Sequence, residues 1–207
     1  MGLFKKYVNQ TRKPEGFLGK MMINGMNSGH AKLADWGMSF LKNINPDTIV
    51  ELGCGGGRNA AELIKRYPKS KVTAVDYSSL SVEKAKQYNK EMISVGKCTV
   101  LQGDVSKLNH KNDYFDLATA FETVYFWNNL EQCFSEVARI LKTGGTFMIC
   151  NESDGTDKIG LQFEKIIDGM KCYTIEQLET TLKSAGFSNI ISEHHPSKPW
   201  ITIIAVK

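Results

Sequence analysis

The sequence predicts a single α/β domain: a doubly wound, mostly parallel sheet with an antiparallel C-terminal edge strand. Three observations carry this. From residue 48 onward, short β-branched runs alternate with stretches of helical periodicity, and that alternation builds parallel strands covered on both faces. A glycine cluster, Gly53 to Gly57, follows the first of these runs, where a strand should turn into a helix. The 207 residues, 42% of them hydrophobic, fill one well-buried core and leave too little for two.

The elements follow in order. Residues 1–45 precede the alternating core of residues 46–207 and are expected to form a lid or cap over it, not a separate domain. Within this segment, Gly16, Gly19, Gly25 and Gly29 interrupt a Met-rich stretch and argue against a long regular helix. His30 to Leu41 has helical spacing, with Leu33, Ala34, Phe40 and Leu41 on one face. Thr48–Leu52 is a β-branched strand, and Asn59 to Tyr67 a helix stopped by Pro68. Lys71–Val75 is the second strand, Ser79–Ser94 a helix, and Cys98–Leu101 and Phe115–Phe121 two further strands. Leu130, Cys133, Phe134, Val137, Ile140 and Leu141 recur at helical spacing, and Gly144-Gly145 is expected to end that helix before the strand Thr146–Cys150. Thr174 and Gln177 form a capping box, Tyr173 and Leu178 occupy the staple positions, and Gly186 closes the same helix. Ile190–Ser192 and Trp200–Val206 have no helix between them and should pair antiparallel.

Composition narrows the function classes. A formal net charge of +4 is too mild for a dedicated nucleic-acid binder. Lys5, Lys6, Arg12, Lys13 and Lys20 concentrate near the start and read as a solvated arm. The five cysteines are scattered, odd in number and without CxxC spacing, which suggests neither a disulfide framework nor a zinc site. No stretch is apolar enough for a membrane span, and Lys6 breaks the myristoylation pattern. A cytoplasmic protein is expected, with no membrane or nucleic-acid partner and an oligomeric state left open.

The chemistry concentrates at three successive strand ends. Gly53, Gly55 and Gly57 let backbone approach a ligand closely. Asp76 ends the second strand, where a carboxylate accepts hydrogen bonds from ribose hydroxyls. Asp104 follows the third strand and can meet an adenine amino group. A nucleoside placed there belongs to NAD or to S-adenosylmethionine. The dinucleotide fingerprint requires a third glycine at position 58, which is Arg58. Glu51, two residues before the first glycine, repels a pyrophosphate but suits a ligand carrying an ammonium and a sulfonium.

VELGCGGG resembles motif I of the class I (Rossmann-like) S-adenosylmethionine-dependent methyltransferases, with Glu51 for the commoner Asp and Gly56 for the commoner Thr or Ser. VTAVDYS is similar to the next motif, LQGDVSKL to the adenine-binding segment, NDYFDLATAFETVYFW to the fourth-strand motif, and RILKTGGTFMI to the fifth, with Thr143 where Pro is common. YTIEQLETTLKSAGF resembles the late helix of the small-molecule members, of the methyltransferase type 11 kind. The resemblance spans about residues 48 to 190. It implies a Rossmann-like methyltransferase fold and a cofactor site of Glu51, Gly53, Gly55, Gly57, Asp76, Tyr77, Ser78, Asp104, Val105 and Phe121.

Methyl transfer to a small-molecule acceptor needs positioning and exclusion of water more than an elaborate catalytic apparatus. The catalytic candidates are Glu122, as base or orienter, and Tyr125, both just past the fourth strand, and His30, at the head of the first helix, which could orient the cofactor carboxylate or act as base. Phe126 and Trp127 read equally well as core, and Asn151-Glu152 as a rim. No Asp, Glu and His group has metal-ligand spacing along the sequence, so no metal is expected. The rival functions are an RNA methyltransferase, for which no RNA-binding module has room, and a non-catalytic S-adenosylmethionine-binding module, which the sequence leaves open.

Overall fold

The computed structural model describes residues 2–207. Seven strands, β1 (Thr48–Leu52), β2 (Lys71–Asp76), β3 (Cys98–Gln102), β4 (Phe115–Phe121), β5 (Leu141–Asn151), β6 (Ser188–His194) and β7 (Ile201–Val206), form one sheet. Their spatial order is β3-β2-β1-β4-β5-β7-β6. β1 to β5 run parallel to one another. β7 pairs antiparallel with β5 on one side and with β6 on the other. The C-terminal strands are therefore antiparallel as expected, with β7 inserted into the sheet and β6 at its edge. Strand order reverses between β1 and β4, and the crevice at such a reversal is where open α/β sheets bind ligands.

The helices are α1 (Leu3–Val8), α2 (Gly16–Gly29), α3 (Ala31–Met38), α4 (Arg58–Arg66), α5 (Ser79–Tyr88), α6 (Lys90–Ser94), α7 (Leu130–Ile140), α8 (Lys158–Ile166) and α9 (Ile175–Ser184). Period-two alternation sends strand side chains to two cores. Val50, Leu52, Ala118, Ala120, Phe147 and Ile149 pack with Phe134 and Val137 of α7 and Leu178 and Leu182 of α9. Ile49, Leu117, Met148 and Cys150 pack on the opposite face with Leu33 of α3, Leu63 of α4 and Ala85 of α5. α3 lies close to β5 because Gly37 has no side chain; a Cβ there would stand 2.6 Å from the Cys150 sulfur.

Three expectations are corrected. The glycine-broken N-terminal stretch forms α2, a regular helix of 14 residues. Gly16 and Gly29 stand at its ends, where glycine costs little. Gly19 is required for packing, since a Cβ would fall 2.8 Å from the Pro14 carbonyl carbon, and fully buried Ile23 anchors the middle. Tertiary contact thus overrides a propensity cost of roughly 1 kcal/mol per interior glycine. Second, Gly144-Gly145 does not end α7. The helix stops at Ile140, and the glycines lie within β5, where pairing with β4 shifts from Phe115–Leu141 to Leu117–Thr146. Third, the stretch Ser79–Ser94 is two helices. The buried Asn89 side chain breaks it, donating to the Gly57 carbonyl at 2.9 Å and to Ala85 at 3.1 Å. The capping box at Thr174 and Gln177 forms as expected, and α1 and α8 are additional to the expected elements.

Candidate active site

At the carboxyl ends of β1, β2 and β4 lies a cleft of about 300 Å³, walled on the outside by residues of the N-terminal segment. Its floor is the turn from β1 to α4. Gly53 and Cys54 donate to the Val75 carbonyl at 2.8 and 3.0 Å, which holds the turn against β2. Gly53, Gly55 and Gly57 have φ of +77°, +50° and +82°, a region side chains rarely enter. At Gly53 a Cβ would meet the Thr123 hydroxyl oxygen at 2.1 Å, whereas at Gly55 it would meet nothing within 4 Å. Gly53 therefore serves packing, and Gly55 leaves backbone bare toward the open cleft.

Asp76 holds the loop as well as facing the cleft. Its Oδ2 accepts from the Gly55 N–H at 2.8 Å and its Oδ1 from the Ser78 N–H at 2.9 Å. The Ser81 hydroxyl and the Tyr77 N–H also act on this carboxylate and favour its charged form. Burial raises the Asp76 pKa and the backbone N–H groups of Ser78 and Gly55 pull it back. Tyr77, Asp104, Val105 and Phe121 line the cleft too. Asp104 turns its Oδ1 to the Ser106 N–H at 2.8 Å.

Four of the expected site residues do not line it. Glu51 lies beneath the glycine turn, essentially without exposure, and its Oε2 has no hydrogen-bond partner. Burial first, and then the Asp76 charge, push its pKa up to about 8. Glu51 therefore faces the cleft only through the glycine turn, and burial opposes its charged form. Gly57 is covered by Asn89 and Ala85. Ser78 is buried as the N-cap of α5 and donates to the Pro14 carbonyl at 3.1 Å, tying the N-terminal segment to the site. Tyr125 is buried behind Glu122, donating its hydroxyl to Glu122 Oε1 at 3.0 Å and accepting from the Ser153 N–H at 2.9 Å.

Glu122 and His30 do line the cleft. Glu122 has φ +58°, and its Oε1 also accepts the Glu152 N–H. Burial, then the neighbouring Glu152 charge, raise its pKa to about 8. His30 Nε2 stands 3.7 Å from Glu152 Oε2; burial lowers its pKa and the Glu152 charge partly restores it. Sequence reading missed Asn27, whose amide sits against Gly56, and Thr123, whose Oγ1 accepts the Trp127 indole N–H at 3.2 Å. Thr123 was recoverable as the residue beside Glu122; Asn27 carried no local signal. Trp127 is mainly core, stacked on Phe147. Open backbone at Gly55, a ribose-height carboxylate and a second carboxylate past β3 together fit an adenosyl ligand.

Solved structures share this architecture. A chain of the complex between the Haloferax volcanii Trm112 methyltransferase activator and its methyltransferase superimposes with a TM-score of 0.83 at 17% identity, covering 100% of this chain and 98% of that one. An S-adenosylmethionine-dependent methyltransferase of Thermotoga maritima gives 0.71 at 21% identity, covering 92% and 96%. The strand order and the switch-point cleft define a class I, Rossmann-like methyltransferase fold. In sequence, the sterol 24-C-methyltransferase of Saccharomyces cerevisiae is 29% identical over 156 residues, 71% of this chain and 40% of that protein. The malonyl-[acyl-carrier protein] O-methyltransferase of Priestia megaterium is 28% identical over 149 residues, 66% and 52% respectively. This chain matches, over residues 50–149, the family described as a methyltransferase domain. It spans about half the length, or less, of these two relatives.

Proposed function

We propose that the chain transfers the methyl group of S-adenosylmethionine to a small-molecule acceptor held between the strand ends and the N-terminal segment. The observation that carries this is the shared hold of Asp76 on Gly55 and on the cleft, which couples ligand contact to the shape of the glycine turn. The cofactor supplies an activated sulfonium methyl; the residues bind, orient and exclude water. Asp76 and Asp104 take the ribose and the adenine, with Tyr77, Val105 and Phe121 packing beside them. Glu51, Gly57 and Ser78 support the turn from below and behind. Glu122 and His30 orient the polar group of the acceptor, and Tyr125 positions Glu122. Sterol and malonyl-carrier acceptors among the relatives favour an apolar or acyl-bearing small molecule. A reducing cytoplasm suits five free, buried cysteines, and no helix among the described residues is long and apolar enough to cross a membrane.

S-adenosylhomocysteine should raise the melting temperature, since a ligand that binds the native state stabilises it by mass action; NAD should leave it unchanged. Asp76→Ala should weaken S-adenosylhomocysteine binding by about 1–3 kcal/mol in calorimetry while the chain stays folded. A larger thermal shift with NAD would overturn the reading.

A further inference from the structure

Spacing along the sequence suggests no metal site, yet the fold gathers one set of ligand-bearing side chains at the cleft. His30 comes from the junction of α2 and α3, Glu122 from the end of β4 and Glu152 from the end of β5. One ligand atom from each lies within 4.8 Å of the other two. We propose that His30, Glu122 and Glu152 bind a divalent transition-metal ion at the acceptor end of the cleft.

Four features support this site. The donor set is one imidazole and two carboxylates, a combination suited to Mn²⁺, Fe²⁺ or Zn²⁺. The two carboxylates converge with His30 as the one basic group paired to either: among the described residues, no lysine or arginine forms an ion pair with Glu122 or Glu152. Glu122 is held by groups behind it, its Oε1 receiving the Tyr125 hydroxyl and the Glu152 N–H, the kind of outer support that aims a ligand. His30 and Glu122 face open space in the cleft, which leaves positions on the ion for a further ligand. Ion–ligand distances of about 2.0–2.2 Å put ligand atoms roughly 3–3.5 Å apart. The His30–Glu152 separation of 3.7 Å reaches that range with a small side-chain rotation.

The ion would take an oxygen of the acceptor on its open side and lower the pKa of an acceptor hydroxyl or enol. This role rests on the methyl-transfer reading; binding of the ion does not. The acceptor class it points to is an oxygen nucleophile with at least one oxygen able to reach the metal.

The test uses the full chain, stripped with a chelator and titrated with Mn²⁺, followed by electron paramagnetic resonance of free Mn²⁺ and by Zn²⁺ competition. One site per chain is expected. Glu152→Gln and His30→Gln should each weaken it by about 10- to 100-fold or more. Asp35→Asn, which removes an exposed carboxylate paired with Arg58, should leave it intact. Glu152 is exposed, so its variant is expected to stay folded, and circular dichroism checks this. S-adenosylhomocysteine binding by the stripped chain is measured in parallel. Its presence without Mn²⁺ binding would overturn the metal site and leave methyl transfer standing; its absence alongside specific Mn²⁺ binding would do the reverse. Mn²⁺ binding unchanged in both variants would also overturn the site.

Discussion

Gly53 and Gly55 both have positive φ and opposite surroundings, so they separate folding from ligand binding. Gly55→Ala adds left-handed strain of about 1–2 kcal/mol and no clash; it should fold, lose roughly that stability in urea, and bind S-adenosylhomocysteine more weakly. Gly53→Ala drives a methyl into Thr123 Cβ as well as its hydroxyl, which rotation cannot relieve. It should lose about 2–4 kcal/mol. Equal losses in the two variants would refute the distinction. Glu51 supplies a pH test. Its pKa rises from 4.5 to about 8 on folding, so between those values the native state holds a proton the unfolded chain has released. The stability it contributes is complete below about pH 4.5 and is lost as pH climbs to about 8. Glu51→Gln should flatten that fall, by on the order of a few kcal/mol, in denaturant titrations across the window. An unchanged slope would show that Glu51 is ionised in the folded chain. Glu51 also marks a limit of sequence reading. Its identity and position were legible, but the upward push on its pKa follows from burial, which no local pattern reports.

At the scale of elements, much of the core was legible. Strand positions followed from β-branched runs, and the α9 cap from Thr174 and Gln177, because these signals are local. The errors arose where a distant partner decides. α2 forms because Pro14 and the buried Ile23 reward it, and Asn89 ends α5 by reaching back to Gly57. The metal-ligand group was invisible for the same reason, since its members are 92 and 30 residues apart in order. α2 brings Met26 and Asn27 to the cleft, and Thr11, Arg12 and Pro14 precede it there. The N-terminal lid expected from sequence is thus a proposal with a mechanism: residues 1–30 close over the cofactor. Hydrogen exchange should slow in α2 when S-adenosylhomocysteine is added, and a chain beginning at Ala31 should fold but bind it about tenfold more weakly, or about 1.4 kcal/mol. Unchanged exchange together with full affinity after truncation would make the segment a passive tail.

At the scale of the molecule, one sheet separates two cores, and the cleft opens where the strand order turns. Most residues lining the cleft follow a strand end, and the N-terminal segment supplies the facing wall. β7 has a further consequence. β6 precedes it in the chain but borders no strand except β7. As the polypeptide emerges during synthesis, β2 can join β1, β3 can join β2, and β5 can join β4, each to a neighbour already made. β6 alone must wait. Without residues 201–206 it has no hydrogen-bonding mate and β5 keeps its outer edge bare, so a chain cut between residues 194 and 201 would leave both strands open to pairing with another copy.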